Sequence, residues 1–372
     1  MSKSSRMALI VVFCFAPLGF SQQGGLQANP DVAQASSAAA ASAPLVRMNI
    51  DVLVNDKDGK PVPDLEPTDF TLLDDNQPRK ILGFRRTNGM AGSKFDSPVE
   101  VIVVLDSVNM AYQAVTQLRL QLQRFLRANG GHLAQPVSVF IYGSEGLHVQ
   151  PAPSRDGNAL AAMLDTAVGT MRSRATAAGD YGLAEQFTSS IQTLKGIAEN
   201  EAHKPGRKLL VWLGNGWPLL DSRKFIKSNE GEQRHFQNIV EVSKKLREAR
   251  ITIYGIYTLN SASDHFLYEA YLKPVKDFHH ADAGNLSMQV LARQTGGRVL
   301  EPSNEIASQI DNCIADIGEY YTLTFAVPAP AQPNEYHDLK VQVAQPGMMV
   351  RTTSGYYNQP LAAPAVSDGV AK

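Results

Sequence analysis

Cysteine is nearly missing from this 372-residue chain, which holds two. Cys14 falls in an apolar leader expected to be removed, and Phe13 before it stands where a lipoprotein signal needs a small residue, so lipidation is not expected. Cys313 is then alone, read as a small buried residue on a helix, and a mature chain with one thiol is stabilised by its core instead of by bridges. A surplus of either charge is also missing. The 35 Lys and Arg face 36 Asp and Glu, which argues against nucleic acid or an anionic membrane surface as partner. The longest apolar run, residues 7–20, falls short of the ~20 residues of a membrane-spanning helix. No Gly-x-Ser-x-Gly elbow, Walker loop or paired-cysteine motif occurs, so the usual signatures of serine hydrolases, P-loop nucleotide enzymes and zinc sites are lacking.

What the chain does contain begins with Lys3 and Arg6 ahead of that apolar run, followed by Gly19 and Ser21. This is the layout of a secretory signal over residues 1–21, so a periplasmic or extracellular location is expected, with membrane attachment only if the signal stays uncleaved. Residues 22–45, rich in Ala, Ser, Gln and Gly, read as a disordered linker, and residues 358–372 as a disordered tail. Between them lie three segments. In residues 46–88, Val46, Met48, Ile50, Val52 and Val54 alternate with polar residues up to the Asp58-Gly59 turn, and further strands fit around 70–73 and 79–84. Residues 99–318 alternate apolar strands (VEVIVVL, QPVSVFIYG, KLLVWLG, ITIYGIYTL, GRVLE) with amphipathic helices, one striped by Val115, Leu118, Leu122, Phe125 and Leu126, another by Phe236, Ile239, Val240 and Leu246. Residues 319–357 return to alternation at Leu339, Val341 and Val343. Each flank is too short to bury a core by itself. The expected fold is α/β: a doubly wound, mostly parallel sheet inserted between two β segments that pair as a small β-sandwich.

Ligands of such sheets sit beyond the carboxyl ends of the strands, which directs attention to Asp106 at the end of VEVIVVLD and to Gly214-Asn215-Gly216 after KLLVWL. Here the chain resembles the von Willebrand factor type A family, and more closely its VWFA-related exported bacterial group. The residues carrying the likeness are VIVVLDSVNM, QPVSVFIYGSEGLHVQPAPSRDGNAL, GRKLLVWLGNGWP, the preceding DGKPVPDLEPTDFTLLDDNQPRKILGF and the closing SGYY. In many members the resemblance implies a metal-ion-dependent adhesion site: an Asp-x-Ser-x-Ser strand end, a Thr from one loop and an Asp from another, holding Mg²⁺. Asp106 matches the first aspartate, but Val108 and Met110 occupy the two serine positions, Asn215 stands in place of the later aspartate, and the threonine has no counterpart. A valine and a thioether cannot supply the hard oxygens Mg²⁺ requires. No metal and no cofactor are therefore expected, Asp106 is read as capping the helix that follows, and Ser107 and Asn109, at the alternate positions, should point elsewhere.

Other motifs carry less. Gly214-x-Gly216 has Leu219 at the third glycine position of a dinucleotide fingerprint. His279, His280 and Asp282 read as a solvated loop, and Tyr142-Gly143-Ser144-Glu145-Gly146 as a hairpin turn. Trp212 belongs in the core, whereas Trp217 is expected as an exposed aromatic at the ligand edge. The resulting expectation is an exported, non-catalytic protein-binding protein with a degenerate metal site, meeting its partner through Asp106, Ser107, Asn109, Asn215 and Trp217. Two alternatives are divalent-metal-dependent adhesion through a rearranged site borrowing Ser107, Asn109 or Asp180, and a small-molecule binder or hydrolase in the strand-end crevice.

Overall fold

The computed structural model describes residues 46–89, 97–171, 179–220, 228–257 and 268–359. The signal, the linker and nearly all of the tail lie outside the described residues. Asn358, assigned to the tail from sequence, instead ends a strand, because Glu335 offers it a pairing partner.

The central sheet contains strands β5 (Glu100–Asp106), β6 (His132–Gly143), β9 (Lys208–Leu213), β10 (Ile251–Ile256) and β11 (Arg298–Leu300) in parallel, with the short β7 (Gly146–His148) and β8 (Ser154–Asp156) antiparallel to β6. The order is β11-β10-β9-β5-β6-β7. Numbered by appearance along that path it runs 3-2-1-4-5-6, so the winding reverses between β5 and β9. Every residue of β5, β9 and β10 is buried, which is why these stretches read as unbroken apolar runs. Their side chains feed two cores. Ile102, Val104, Leu210 and Trp212 face helices α3 (Asp180–Ala202) and α4 (Asn229–Glu248). Val101, Val103, Leu209 and Val211 face α1 (Tyr112–Arg127), α2 (Gly157–Thr166) and α6 (Ile306–Ala315). The short α5 (Met288–Gln294) packs Met288 and Leu291 on the first face. Cys313 is fully buried in α6, and burial pushes its thiol far up, so it is packing and not a nucleophile.

Helix α2 starts where α1 ends. Asp156 caps it, accepting from the Ala159 N–H at 2.9 Å. A Cβ placed on Gly157 would lie 1.9 Å from the Leu126 carbonyl oxygen, so only glycine allows this approach. Gly157→Ala is expected to destabilise the protein by about 3 kcal/mol through backbone displacement. Urea unfolding measures it, and an unchanged midpoint would mean that α1 and α2 separate freely.

The flanking segments form two further sheets, each mixing strands from both ends of the chain. One is β14-β1-β12-β4, made of β1 (Arg47–Asn55), β4 (Ile81–Asn88), β12 (Glu319–Ala326) and β14 (Met349–Thr352). The other is β15-β13-β2-β3, made of β2 (Phe70–Asp74), β3 (Gln77–Arg79), β13 (Glu335–Val343) and β15 (Gly355–Asn358). Their inner faces share one core, in which Ile50, Val52, Leu72, Leu323 and Val341 meet a Phe70–Phe84–Tyr321 cluster with ring centroids 5.1–5.7 Å apart. The Tyr321 hydroxyl donates to the Val62 carbonyl at 2.7 Å and accepts from the Leu65 N–H at 3.2 Å, fastening the loop after β1.

At one end of this sandwich the fully buried Asp74 accepts from Arg79 Nε at 3.1 Å and the Tyr356 hydroxyl at 3.2 Å, and pairs with His337 Nδ1 at 2.9 Å. The His337 ring stacks on Tyr356, centroids 4.9 Å apart at 8°. Asp74, Asp75 and His337 are close enough to resemble a ligand set, yet Asp74 already has three partners, one of them a guanidinium that repels a cation.

Candidate functional site

Asp106 closes β5 at the point where the winding reverses, and it is fully buried. Leaving the strand, the backbone turns back on the carboxylate: Oδ1 accepts from the Val108 and Asn109 N–H groups, both at 3.0 Å. Oδ2 accepts from Asn109 Nδ2 at 2.8 Å and from the Trp212 indole N–H, on neighbouring β9, at 3.0 Å. All four directions are therefore filled by donors. Burial pushes the carboxyl up to about 6 against these four donors, which favour the ion.

Three expectations are corrected here. Asp106 caps the turn 106–109 and not the helix, since α1 begins later, with Ala111 as a cap lacking any side-chain bond. Asn109 does not point elsewhere: once the strand has ended, alternation no longer governs its direction, and its amide reaches both Asp106 and, at 3.0 Å, Ser190 Oγ of α3. Ser107 does turn away, but it is fully buried, its hydroxyl donating to the Tyr142 carbonyl at 2.9 Å.

Helix α3 is stitched to this turn. Ser190 Oγ donates to the Gln186 carbonyl at 2.8 Å, Gln186 Nε2 donates to the Val108 carbonyl at 3.4 Å, and the Tyr142 hydroxyl donates to Ser189 Oγ at 2.8 Å. Val108 and Met110 face opposite cores. Gly214, with φ +145°, presses against the turn, and a Cβ there would come within 3.0 Å of Asp106 Cβ and 3.4 Å of the Met110 thioether. Sulfur and methyl groups thus fill the space beside the carboxylate.

Asn215 is half-buried in the following loop. Trp217 is a further correction: it is buried, its indole donating to the Leu286 carbonyl at 2.8 Å and standing edge-on to Trp212 at 5.4 Å. Its ring anchors the loop because its one polar atom finds a buried carbonyl. Asp180, exposed at the start of α3, is ten residues, about 15 Å of helix, before Ser190. It is not among the partners of Asp106.

Elsewhere, His279 pairs with Glu232 at 3.1 Å, His280 with Asp277 at 2.9 Å, and Asp282 caps residues 283–286 together with Asn285. These three side chains serve separate partners. Gly143 and Gly146 close the β6–β7 hairpin. Sequence reasoning missed Trp212 and Ser190 as partners of the turn. Both look like core residues in their own segments, and only the fold brings them to Asp106.

The raised carboxyl has a stability consequence. A folded-state value above the ordinary 3.8 makes a contribution that is full below pH 3.8 and is lost as pH rises through about 6. Between pH 4 and pH 7 the wild type is expected to lose about 2 kcal/mol relative to Asp106→Asn, which does not titrate. Urea unfolding across that range checks it, and a pH-independent difference between the two would contradict it.

No family model matches the chain, and no curated protein does. Among solved structures it is similar to the human COPII-coat protein Sec24c, with 11% identity and a TM-score of 0.34 over 75% of this chain and 46% of that one. It is also similar to proximal thread matrix protein 1 of the mussel byssus, with 10% identity and a TM-score of 0.35 over 63% and 49%. The chain spans about half the length of each.

Proposed function

We propose that this chain is an exported, non-catalytic protein-binding protein built on a von Willebrand A-like domain whose metal site is degenerate. The observation that carries the reading is the closed donor shell of Asp106: four N–H groups occupy the oxygens a cation would need, with Val108 and Met110 beside them. The same turn offers no nucleophile and no general base open to a substrate, which supports recognition over bond making.

The residues fitted to touch a partner differ from those expected, because Asp106, Ser107 and Trp217 are buried. Among the described residues, exposed large hydrophobic side chains toward the strand ends include Tyr112, 54% exposed at the start of α1, and Tyr181 and Leu183, 86% and 41% exposed in the first turn of α3. Gln186 bonds the turn at Asp106, so Tyr181 stands about 7 Å further out along the helix. Large amphipathic rings held on helix ends suit a protein contact, with the half-buried Asn109 and Asn215 at its base.

Capture of partners from the organism's envelope fraction by the mature protein is expected to survive chelator and to fall at least about tenfold with Tyr112→Ala/Tyr181→Ala. Capture abolished by chelator, together with a melting temperature raised by Mg²⁺ or Mn²⁺, would establish metal-dependent adhesion instead.

A further inference from the structure

The seam between the sandwich and the α/β unit contains a cleft of about 420 Å³, a volume within the range of small-molecule sites. One wall is the turn after α5, the other β13 and β14. The half-buried Leu272 and Val350 provide apolar lining, while Arg293, Lys340 and Arg351 bring positive charge, and no carboxylate is among the lining residues. The cations differ in how they are held. Arg351 sits 2.8 Å from Asp316 and donates to the Tyr254 hydroxyl at 3.2 Å. Asp316 also faces Arg298 at 3.2 Å, so one carboxylate serves two guanidiniums and the inner wall keeps a positive surplus. Arg293 and Lys340 are exposed and form no ion pair among the described residues. Asp338, whose carboxyl both Lys340 and Lys276 influence, lies outside the lining.

The walls are fixed to each other. The Ser354 N–H donates to the Gln294 carbonyl at 3.1 Å. Gly296, at φ +81°, lets the turn come so close to β14 that a Cβ would meet the Thr352 backbone at 3.0 Å. A pre-formed concavity with some apolar lining, three cations of which two stand outside any ion pair among the described residues, and no acid in its lining has a definite chemical complement.

We propose that this cleft binds a small organic anion, its carboxylate or phosphate head between Arg293 and Lys340 and its apolar body on Leu272 and Val350. The site adjoins the amino end of β11, so it stands or falls independently of the carboxyl-end surface around Tyr112 and Tyr181.

Isothermal titration of the full chain with hexanoate, hexyl phosphate and neutral hexanol tests it. At least one anion is expected to bind with 1:1 stoichiometry while hexanol does not, and the tighter of the two tells a carboxylate source from a lipid-like phosphate. Arg293→Ala/Lys340→Ala should weaken that binding at least about tenfold with ligand-free melting unchanged, both side chains being exposed. Binding of neither anion, equal binding of hexanol, or full affinity in the double variant overturns the proposal.

Discussion

At pH 5, Asp106→Ala is expected to lose about 3–5 kcal/mol of folding stability, among the largest effects of any single substitution in this protein. At that pH, below the carboxyl's value of about 6, the folded-state group is mostly neutral, so its removal relieves little buried charge. What the variant loses is the acceptor that the Val108 and Asn109 N–H groups, the Asn109 amide and the Trp212 indole share, one of its four directions being taken by the acid's own proton at this pH. Each donor stranded in a dry interior costs about 1–3 kcal/mol unless the turn rearranges. Trp212→Phe removes one donor and keeps most of the ring volume, and should cost less than half as much. Chemical unfolding of both variants separates the contributions, and a loss under 1 kcal/mol for Asp106→Ala would show that the turn is held without the carboxylate.

The sandwich has its own counterpart. Asp74→Ala is expected to destabilise by about 3–5 kcal/mol, because it leaves a buried histidine, a buried tyrosine hydroxyl and a guanidinium without their shared acceptor. Arg79 is a third exposed and can turn to water, so most of the loss falls on His337 and Tyr356. Tyr356→Phe deletes a single bond while keeping the ring that stacks on His337, and about 1 kcal/mol is expected. If Asp74→Ala proves no worse than Tyr356→Phe in a thermal or urea measurement, the three partners do not act through Asp74.

The fold was largely legible because its signals are periodic. Unbroken apolar runs in β5, β9 and β10 reported a sheet covered on both faces, and alternation at Met48, Ile50, Val52 and Val54 reported one buried face. The longest of the described helices, α3, left a weak mark: its buried Phe187, Ile191, Leu194 and Ile197 are diluted by Gly182, Ser190 and Gly196 on the same helix. The site was legible in part. That Val108 and Met110 bring no hard oxygen ligand beside Asp106 follows from their chemistry alone. That Asn109 folds back, that Trp217 turns inward and that Ser190 arrives from α3 could not be read, since each depends on a turn or helix placed by distant packing. Tyr181 was passed over for the same reason, an aromatic in an unremarked helix being indistinguishable from core until its neighbours are known.

The interleaving of chain ends in the sandwich dictates an order of events during synthesis. Arg47 is paired with Ala326, and Val52 with both Tyr321 and Thr352, so β1 has no strand partner until the last strands are released, while β2 has only β3 beside it. Until then β1 and β2 offer open edges of a kind that invites aggregation, while the α/β unit between them can assemble from nearer neighbours and carry its own two ends toward the meeting point. A nascent chain stalled before Glu319 should therefore hold a folded centre and an adhesive leading segment, which makes residues 319–358 the step that renders the molecule inert toward its own copies.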